Sequence, residues 1–199
     1  MTEQLFLVRH GVTLQNVAGI AQGWNDSELS DKGRRQVRAL AERLANHAPT
    51  AIYSSPLGRA LSTAQTIAEI TGLEVQTLDD LREMNYGAWE GQSFLEVRRN
   101  DLDLYHRWIA DPDCPSPDGE SHNDVLRRME RAFAAIDSAR AVVVAHGTAI
   151  RIGATILLSA PVETSRHLAQ DNAALNVFVR RGERWVLKLW NDTTHCEEG

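Results

Sequence analysis

The chain has two cysteines in 199 residues, Cys114 and Cys196, and no CxxC spacing. Free thiols are therefore expected rather than a disulfide framework. Paired metal ligands are missing too: neither an HxH nor an HExxH pattern occurs, and no metal or other cofactor is expected. No stretch approaches the roughly 20 apolar residues of a membrane span. The leading MTEQLFLVRH has no basic lead, long apolar segment or small-residue cleavage site, which makes a cytoplasmic location the expectation. Basic charge is in deficit, with 21 Lys plus Arg against 27 Asp plus Glu and a net charge of -6. That argues against nucleic acid or an anionic membrane as the main partner. What remains, 43% hydrophobic and 24% charged residues, suits an ordinary globular chain, and one domain over residues 1–199 is expected.

Against that background one stretch stands out. Leu5 to Val8 is an unbroken apolar run that reads as a strand buried on both faces, and Arg9, His10 and Gly11 follow at once. Ala141 to Ala145 repeats the design, ending in His146-Gly147 before an apolar segment of helical length, Thr148 to Leu158. A third run, Ala51 to Ser54, leads into Ser55-Pro56 and Arg59. Ser before Pro predicts a helix start, with Ser55 as the cap. If the three strands are neighbours in a parallel sheet, Arg9, His10, Arg59 and His146 meet at its carboxyl edge, where open α/β sheets bind ligands. Two guanidiniums and two imidazoles make an anion site.

The remaining segments fill in around that edge. Gly11 to Asp26 reads as an irregular polar loop in which Asn16 and Gln22 either donate to a bound oxyanion or cap turns. Ser30 opens a helix with Val37, Leu40, Ala41 and Leu44 on one face. The next helix is predicted over Pro56 to Thr71, closed by Gly72, followed by a strand from Leu73 to Leu78. This β-α-β-α-β order implies a parallel sheet. Leu81 to Gly91 then breaks the alternation and places the carboxylate of Glu83 directly after a strand. One amphipathic helix is expected over Phe94 to Ile109 and another over Glu120 to Ser138. The proline-rich Asp111 to Gly119 between them has the character of a lid. Residues 92–138 thus form a helical insertion walling the pocket. Ala174 to Arg180 and Arg184 to Trp190 read as a hairpin turning at Arg181-Gly182.

Such a pocket suits either phosphoryl transfer through a phosphohistidine or metal-assisted hydrolysis. A metal needs ligands without positive charge nearby, yet His10 adjoins Arg9. Phosphoryl transfer instead asks for positioning and charge stabilisation, which the planar arginine fork supplies. His10 as nucleophile needs one unprotonated ring nitrogen, with its other N–H held by a carbonyl near Gly11. Gly11 itself would let backbone and phosphate approach closely. His146, protonated, would donate to a phosphate oxygen. Glu83 would protonate the departing alkoxide and then deprotonate the attacking water. The other histidines read as structural. Most of the five tryptophans read as core, with Trp24, beside Gln22-Gly23, the exception.

LFLVRHGVTLQN, SPLGRALSTAQ, LREMNYGAWEG, PDGES and VVVAHGTAIR, in that order, resemble the histidine phosphatase superfamily in its phosphoglycerate mutase-like branch. The resemblance implies a three-layer α/β/α sandwich around a mainly parallel sheet with an antiparallel edge, and no metal. It implies His10 as the phosphorylated nucleophile, Arg9, Arg59 and His146 as the phosphate pocket and Glu83 as proton donor. Asn16 and Gln22 would be further contacts, with Gly23, Trp24, Tyr86 and Gly147 as substrate-side candidates. Cofactor-dependent mutases of this branch carry a longer, more basic insertion after the glutamate, whereas here Asp and Glu surround the proline-rich loop. The expectation is therefore a phosphatase of small phosphorylated metabolites such as phosphoglycerate derivatives, sugar phosphates or α-ribazole phosphate. A mutase and a silent phospholigand binder are the alternatives. The resemblance also allows a homodimer.

Overall fold

The computed structural model describes residues 2–196. In chain order the main elements begin with β1 (Gln4–Arg9), α1 (Leu14–Val17), α2 (Asp31–Ala45), β2 (Ala51–Ser54), α3 (Gly58–Thr71) and β3 (Val75–Thr77). They continue with α4 (Phe94–Asn100), α5 (Leu102–Ala110), α6 (His122–Ala135), β4 (Arg140–Ala145), α7 (Gly147–Leu157), β5 (Leu175–Arg181) and β6 (Arg184–Asp192). The strands form one sheet in the order β3-β2-β4-β1-β5-β6. β2 and β4 are parallel to each other, as are β4 and β1, while β5 and β6 add an antiparallel edge.

The unbroken apolar run of β1 has its cause in two cores. Side chains alternate across a strand, so Leu5 and Leu7 pack on one face with α6 and α7. Phe6 and Val8 pack on the other with α2 and α3. All four are essentially excluded from water, and full burial of such a side chain stabilises by about 1.5–3 kcal/mol. A polar residue at any of them would face one core or the other.

Register then places the chemistry. Arg9 pairs with Ala145 across the parallel β1–β4 ladder, and Ser54 with Val144 on the other side of β4. His10, His146 and Ser55, each the first residue past its strand, therefore leave the sheet in one row.

Several boundaries depart from the sequence expectation. The polar loop after β1 contains a helical turn, α1, because Thr13 and Asn16 form a reciprocal capping box. α3 starts at Gly58 rather than Pro56, and Ser55 is not its cap: Leu57 holds that position without a side-chain bond. The donors of Gly58 and Arg59 go instead to the carboxylate of Asp26. The single helix expected over Phe94 to Ile109 is two, because Asp101 leaves helical geometry and accepts from Leu104 N to start α5. The helix expected from Glu120 begins at His122 behind a Ser121–Asp124 capping box. β3 is shorter than Leu73 to Leu78, and a 3-10 turn over Asp79–Leu81 separates it from Glu83. The hairpin turns at Gly182, whose φ of +65° suits glycine. Cys114 and Cys196 are free thiols.

Candidate active site

The backbone of His10 is held from both sides. His10 N donates to Ala145 O at 3.1 Å, and His10 O accepts from Ala173 N at 3.1 Å. Its ring is buried, and Nδ1 lies 2.8 Å from the carbonyl of Gly11. A carbonyl only accepts, so Nδ1 carries the hydrogen and Nε2 keeps its lone pair. Burial, then Arg9 and Arg59, hold the imidazole well below the ordinary histidine range, so the ring is neutral. Gly11 is also required by packing: a Cβ there would sit 2.6 Å from Val37 Cγ2 and 2.9 Å from Gly33 O in α2.

The second imidazole sits 5.1 Å from the first, ring centre to ring centre. His146 Nε2 lies 2.8 Å from Ser55 Oγ. That hydroxyl accepts from Leu57 N at 3.3 Å and keeps one hydrogen and a second lone pair, so it can pair with His146 Nε2 in either tautomer. Burial, Arg59 and His10 depress this histidine as well. The expected protonated donor is thus held toward its neutral form, and its Nδ1 is buried with no partner among the described residues.

Both arginines share one arrangement. Arg9 Nη1 donates to Gln170 O, while Arg59 donates to Gly23 O at 2.7 Å and Asn25 O at 2.8 Å, and pairs with Asp26 at 3.4 Å. Arg9 is held through Nη1 and Arg59 through both terminal nitrogens, and in each Nε is buried without a partner among the described residues. Glu83 faces them across the cavity. Its Oε1 accepts from Met84 N at 2.8 Å and Ala149 N at 3.2 Å, and its Oε2 from Thr148 N at 3.1 Å. The start of α7 therefore orients the carboxylate.

A small cavity of about 120 Å³ is lined by Arg9, His10, Asn16, Gln22, Arg59 and Glu83, with Tyr86 and Phe94 among the walls, and His146 is outside this lining. Among the described residues no three His, Cys, Asp or Glu side chains are grouped to hold a metal ion.

The sequence of the chain matches the family model of the histidine phosphatase superfamily, branch 1, over residues 5–193. The chain belongs to this family. Among solved structures, a mycobacterial glucosyl-3-phosphoglycerate phosphatase in complex with VO3 is 33% identical at a TM-score of 0.87, covering 96% of this chain and 99% of that one. A phosphoserine phosphatase of Entamoeba histolytica, a mutant in complex with phosphoserine, is 30% identical at a TM-score of 0.86, covering 98% and 99%. A bifunctional protein of Mycobacterium tuberculosis is 37% identical over 179 residues, 87% of this chain but 49% of that protein. The chain thus spans about half the length of the mycobacterial relatives it matches in sequence.

Within this histidine phosphatase the substrate-side candidates separate into two groups. Gln22, Gly23, Asn16 and Tyr86 line the cavity. Asn16 also keeps the capping role, since Oδ1 accepts from Thr13 and Asn172. Gln22 Oε1 is buried without a partner among the described residues. Tyr86 OH lies 2.8 Å from Thr148 Oγ1, and burial beside Glu83 raises its pKa. Trp24 and Gly147 are outside the lining. Trp24 Nε1 donates to Glu83 O at 2.8 Å, with the Arg82 guanidinium 5.2 Å over the ring. Gly147 lies against Arg9, where a Cβ would be 3.4 Å from its Cζ. The Asp111 to Gly119 loop is tied to the Asn85–Ala88 segment at its C-terminal end: Pro117 O accepts from Ala88 N at 2.9 Å and Asn85 O from Ser116 Oγ at 3.3 Å. The insertion meets the cavity through Phe94.

Sequence reasoning missed Ser55 as the partner of His146, Asp26 as the partner of α3 and Arg59, and Glu90. The Glu90 carboxylate accepts from Trp24 N at 2.8 Å, Asn25 N at 3.0 Å and Tyr86 N at 3.2 Å. Asp26 reaches Gly58 and Arg59, and Glu90 reaches Trp24 and Asn25, all more than thirty positions away, so no local pattern marks these contacts. Ser55 did carry a signal, but Ser-Pro reads first as a helix cap.

Proposed function

We propose that the chain hydrolyses phosphomonoesters of small metabolites through a phosphohistidine at His10, without a metal. One observation supports this most: three buried nitrogens with no partner among the described residues, Arg9 Nε, Arg59 Nε and His146 Nδ1, belong to the residues grouped around the free Nε2 of His10. Buried donors are rarely left unpaired, and an oxyanion supplies acceptors for the two guanidinium nitrogens, and for His146 Nδ1 in the tautomer that carries its hydrogen there.

In the reaction, His10 Nε2 attacks phosphorus as the ester P–O bond breaks, and Glu83 gives its proton to the departing alkoxide. Glu83 then takes a proton from water as the water oxygen attacks phosphorus and the P–N bond breaks, releasing phosphate. Arg9 and Arg59 stabilise the equatorial oxygens throughout. The substrate class follows the named activities of the structural neighbours, phosphoserine and glucosyl-3-phosphoglycerate. One domain over residues 1–199, with residues 92–138 inserted as a pocket wall, belongs to the same reading. So do a cytoplasmic location, from the sequence expectation, and a homodimer, from the family.

A panel of phosphorylated metabolites assayed in excess EDTA tests the reading. Release of phosphate from at least one ester is expected. Activity that vanishes with chelator and returns with zinc contradicts it, and rapid isomerisation of 3-phosphoglycerate with bisphosphoglycerate, without free phosphate, favours a mutase.

A further inference from the structure

We infer that Arg128 and Trp24 are positioning residues that aim the carboxyl group of Glu83, an inference that rests on Glu83 being the proton donor. The backbone oxygen of Glu83 is a junction: it accepts from Arg128 Nη2 at 2.9 Å and from Trp24 Nε1 at 2.8 Å.

All five N–H donors of the Arg128 guanidinium are engaged. Nε and Nη2 reach Glu120 Oε1 at 2.8 Å and Oε2 at 3.0 Å in a fork-to-fork pair. Nη1 donates to the carbonyls of Asp80 and Arg82, and the second Nη2 hydrogen goes to Glu83 O. Glu120 Oε2 also accepts from Asn85 N at 2.8 Å. The backbone at residues 80, 82, 83 and 85 is thereby tied to α6. This stretch leaves the 3-10 turn at Leu81 and enters no regular element until Gly87, so it has no ladder of its own to hold it.

The pair is deeply placed, with the Arg128 and Glu120 side chains 7% and 18% exposed. Buried ion pairs are a poor route to stability, since well-packed apolar residues do as well or better. A buried guanidinium gripping three carbonyls around the acid is explained by placement. Proton transfer depends on that placement, and an error of about 1 Å costs up to about a hundredfold. Trp24 grips the same oxygen from the other side. Its loop also provides the Gly23 and Asn25 carbonyls that hold Arg59, so acid and phosphate ligand are set from one frame.

The test compares kcat/KM for an alkyl ester, glycerol phosphate, and an aryl ester, p-nitrophenyl phosphate. Departing p-nitrophenolate needs no proton, so phosphorylation of His10 by the aryl ester is insensitive to the aim of Glu83. Arg128→Lys keeps the charge but cannot span three carbonyls, and Trp24→Phe removes one N–H on an accessible loop. Both variants are expected to lose about 10- to 100-fold on the alkyl ester and at most about twofold on the aryl ester. Glu83→Gln sets the limit in the same direction, and Arg127→Ala, exposed on the same helix, is expected to change neither. Equal losses on both esters, or no loss on the alkyl ester, overturn the positioning role. If Arg128→Lys does not fold, Trp24→Phe decides alone. A wild type inert on both esters, or a Glu83→Gln variant without ester selectivity, overturns the underlying reading of Glu83 instead.

Discussion

The imidazole Nε2 of His146 lies 2.8 Å from the hydroxyl of Ser55, and the residue that looks in sequence like a helix cap pairs with this buried ring instead. Ser55→Ala should leave α3 intact, because its first donors go to Asp26. The loss should fall on activity, about tenfold in kcat/KM, the worth of one hydrogen bond of about 1.4 kcal/mol. Circular dichroism together with steady-state kinetics checks the split. A lower melting temperature with unchanged turnover would assign Ser55 to the fold.

Asp26 predicts the complementary result. Its carboxylate accepts from Gly58 N and Arg59 N and pairs with the Arg59 guanidinium. Asp26→Ala removes both the cap of α3 and a restraint on a phosphate ligand. A destabilisation of about 1 kcal/mol is expected, a fall of about 2–4 °C in melting temperature. KM should rise at the same time, and calorimetry with kinetics on one preparation measures both.

Gly23 is required by two constraints. Its φ is +53°, and a Cβ would stand 1.9 Å from Glu90 Oε1. Gly23→Ala must displace the Glu90 carboxylate that accepts from Trp24 N and Asn25 N, or the loop whose carbonyl holds Arg59 Nη2 at 2.7 Å. Inhibition by inorganic phosphate should weaken, by about tenfold for each ~1.4 kcal/mol of strain. Unchanged phosphate inhibition would show that this loop does not set the arginine.

Three buried histidines predict acid sensitivity. His10 and His146 are held well below 6.5 by burial and neighbouring cations, and burial with Arg166 and Arg151 pulls His122 down to about 4. Below 6.5 the unfolded chain takes up protons that the folded one does not, so stability falls as pH falls. The slope is up to about 1.4 kcal/mol per pH unit for each histidine. For His122 the stabilisation is complete above 6.5 and lost by about 4. Thermal melts across that window should show the decline, with a shallower slope in His122→Phe. A flat profile would contradict neutral burial.

Much of this was legible in the sequence because strand, His and Gly recur together. Apolar runs announce doubly buried strands, and a histidine immediately past each run must emerge at the sheet edge, whichever helix follows. The family motifs point to the same residues. What stayed hidden depends on distance in the chain. Asp26, Glu90 and Arg128 act on backbone far away in sequence, and a carboxylate or guanidinium in a helix or loop looks the same whether it meets water or a buried carbonyl. Helix breaks were hidden for a similar reason: Asp101 fits an amphipathic period and ends it only by capping α5.

The central claim is that His10 carries the phosphoryl group, and direct trapping tests it best. The chain is mixed with a hydrolysed ester, quenched in alkali, where phosphohistidine survives, and mapped by mass spectrometry. The account predicts phosphate on His10 during turnover and none in His10→Ala, which should be inactive. Phosphate on another residue, or turnover that persists in His10→Ala, would contradict it.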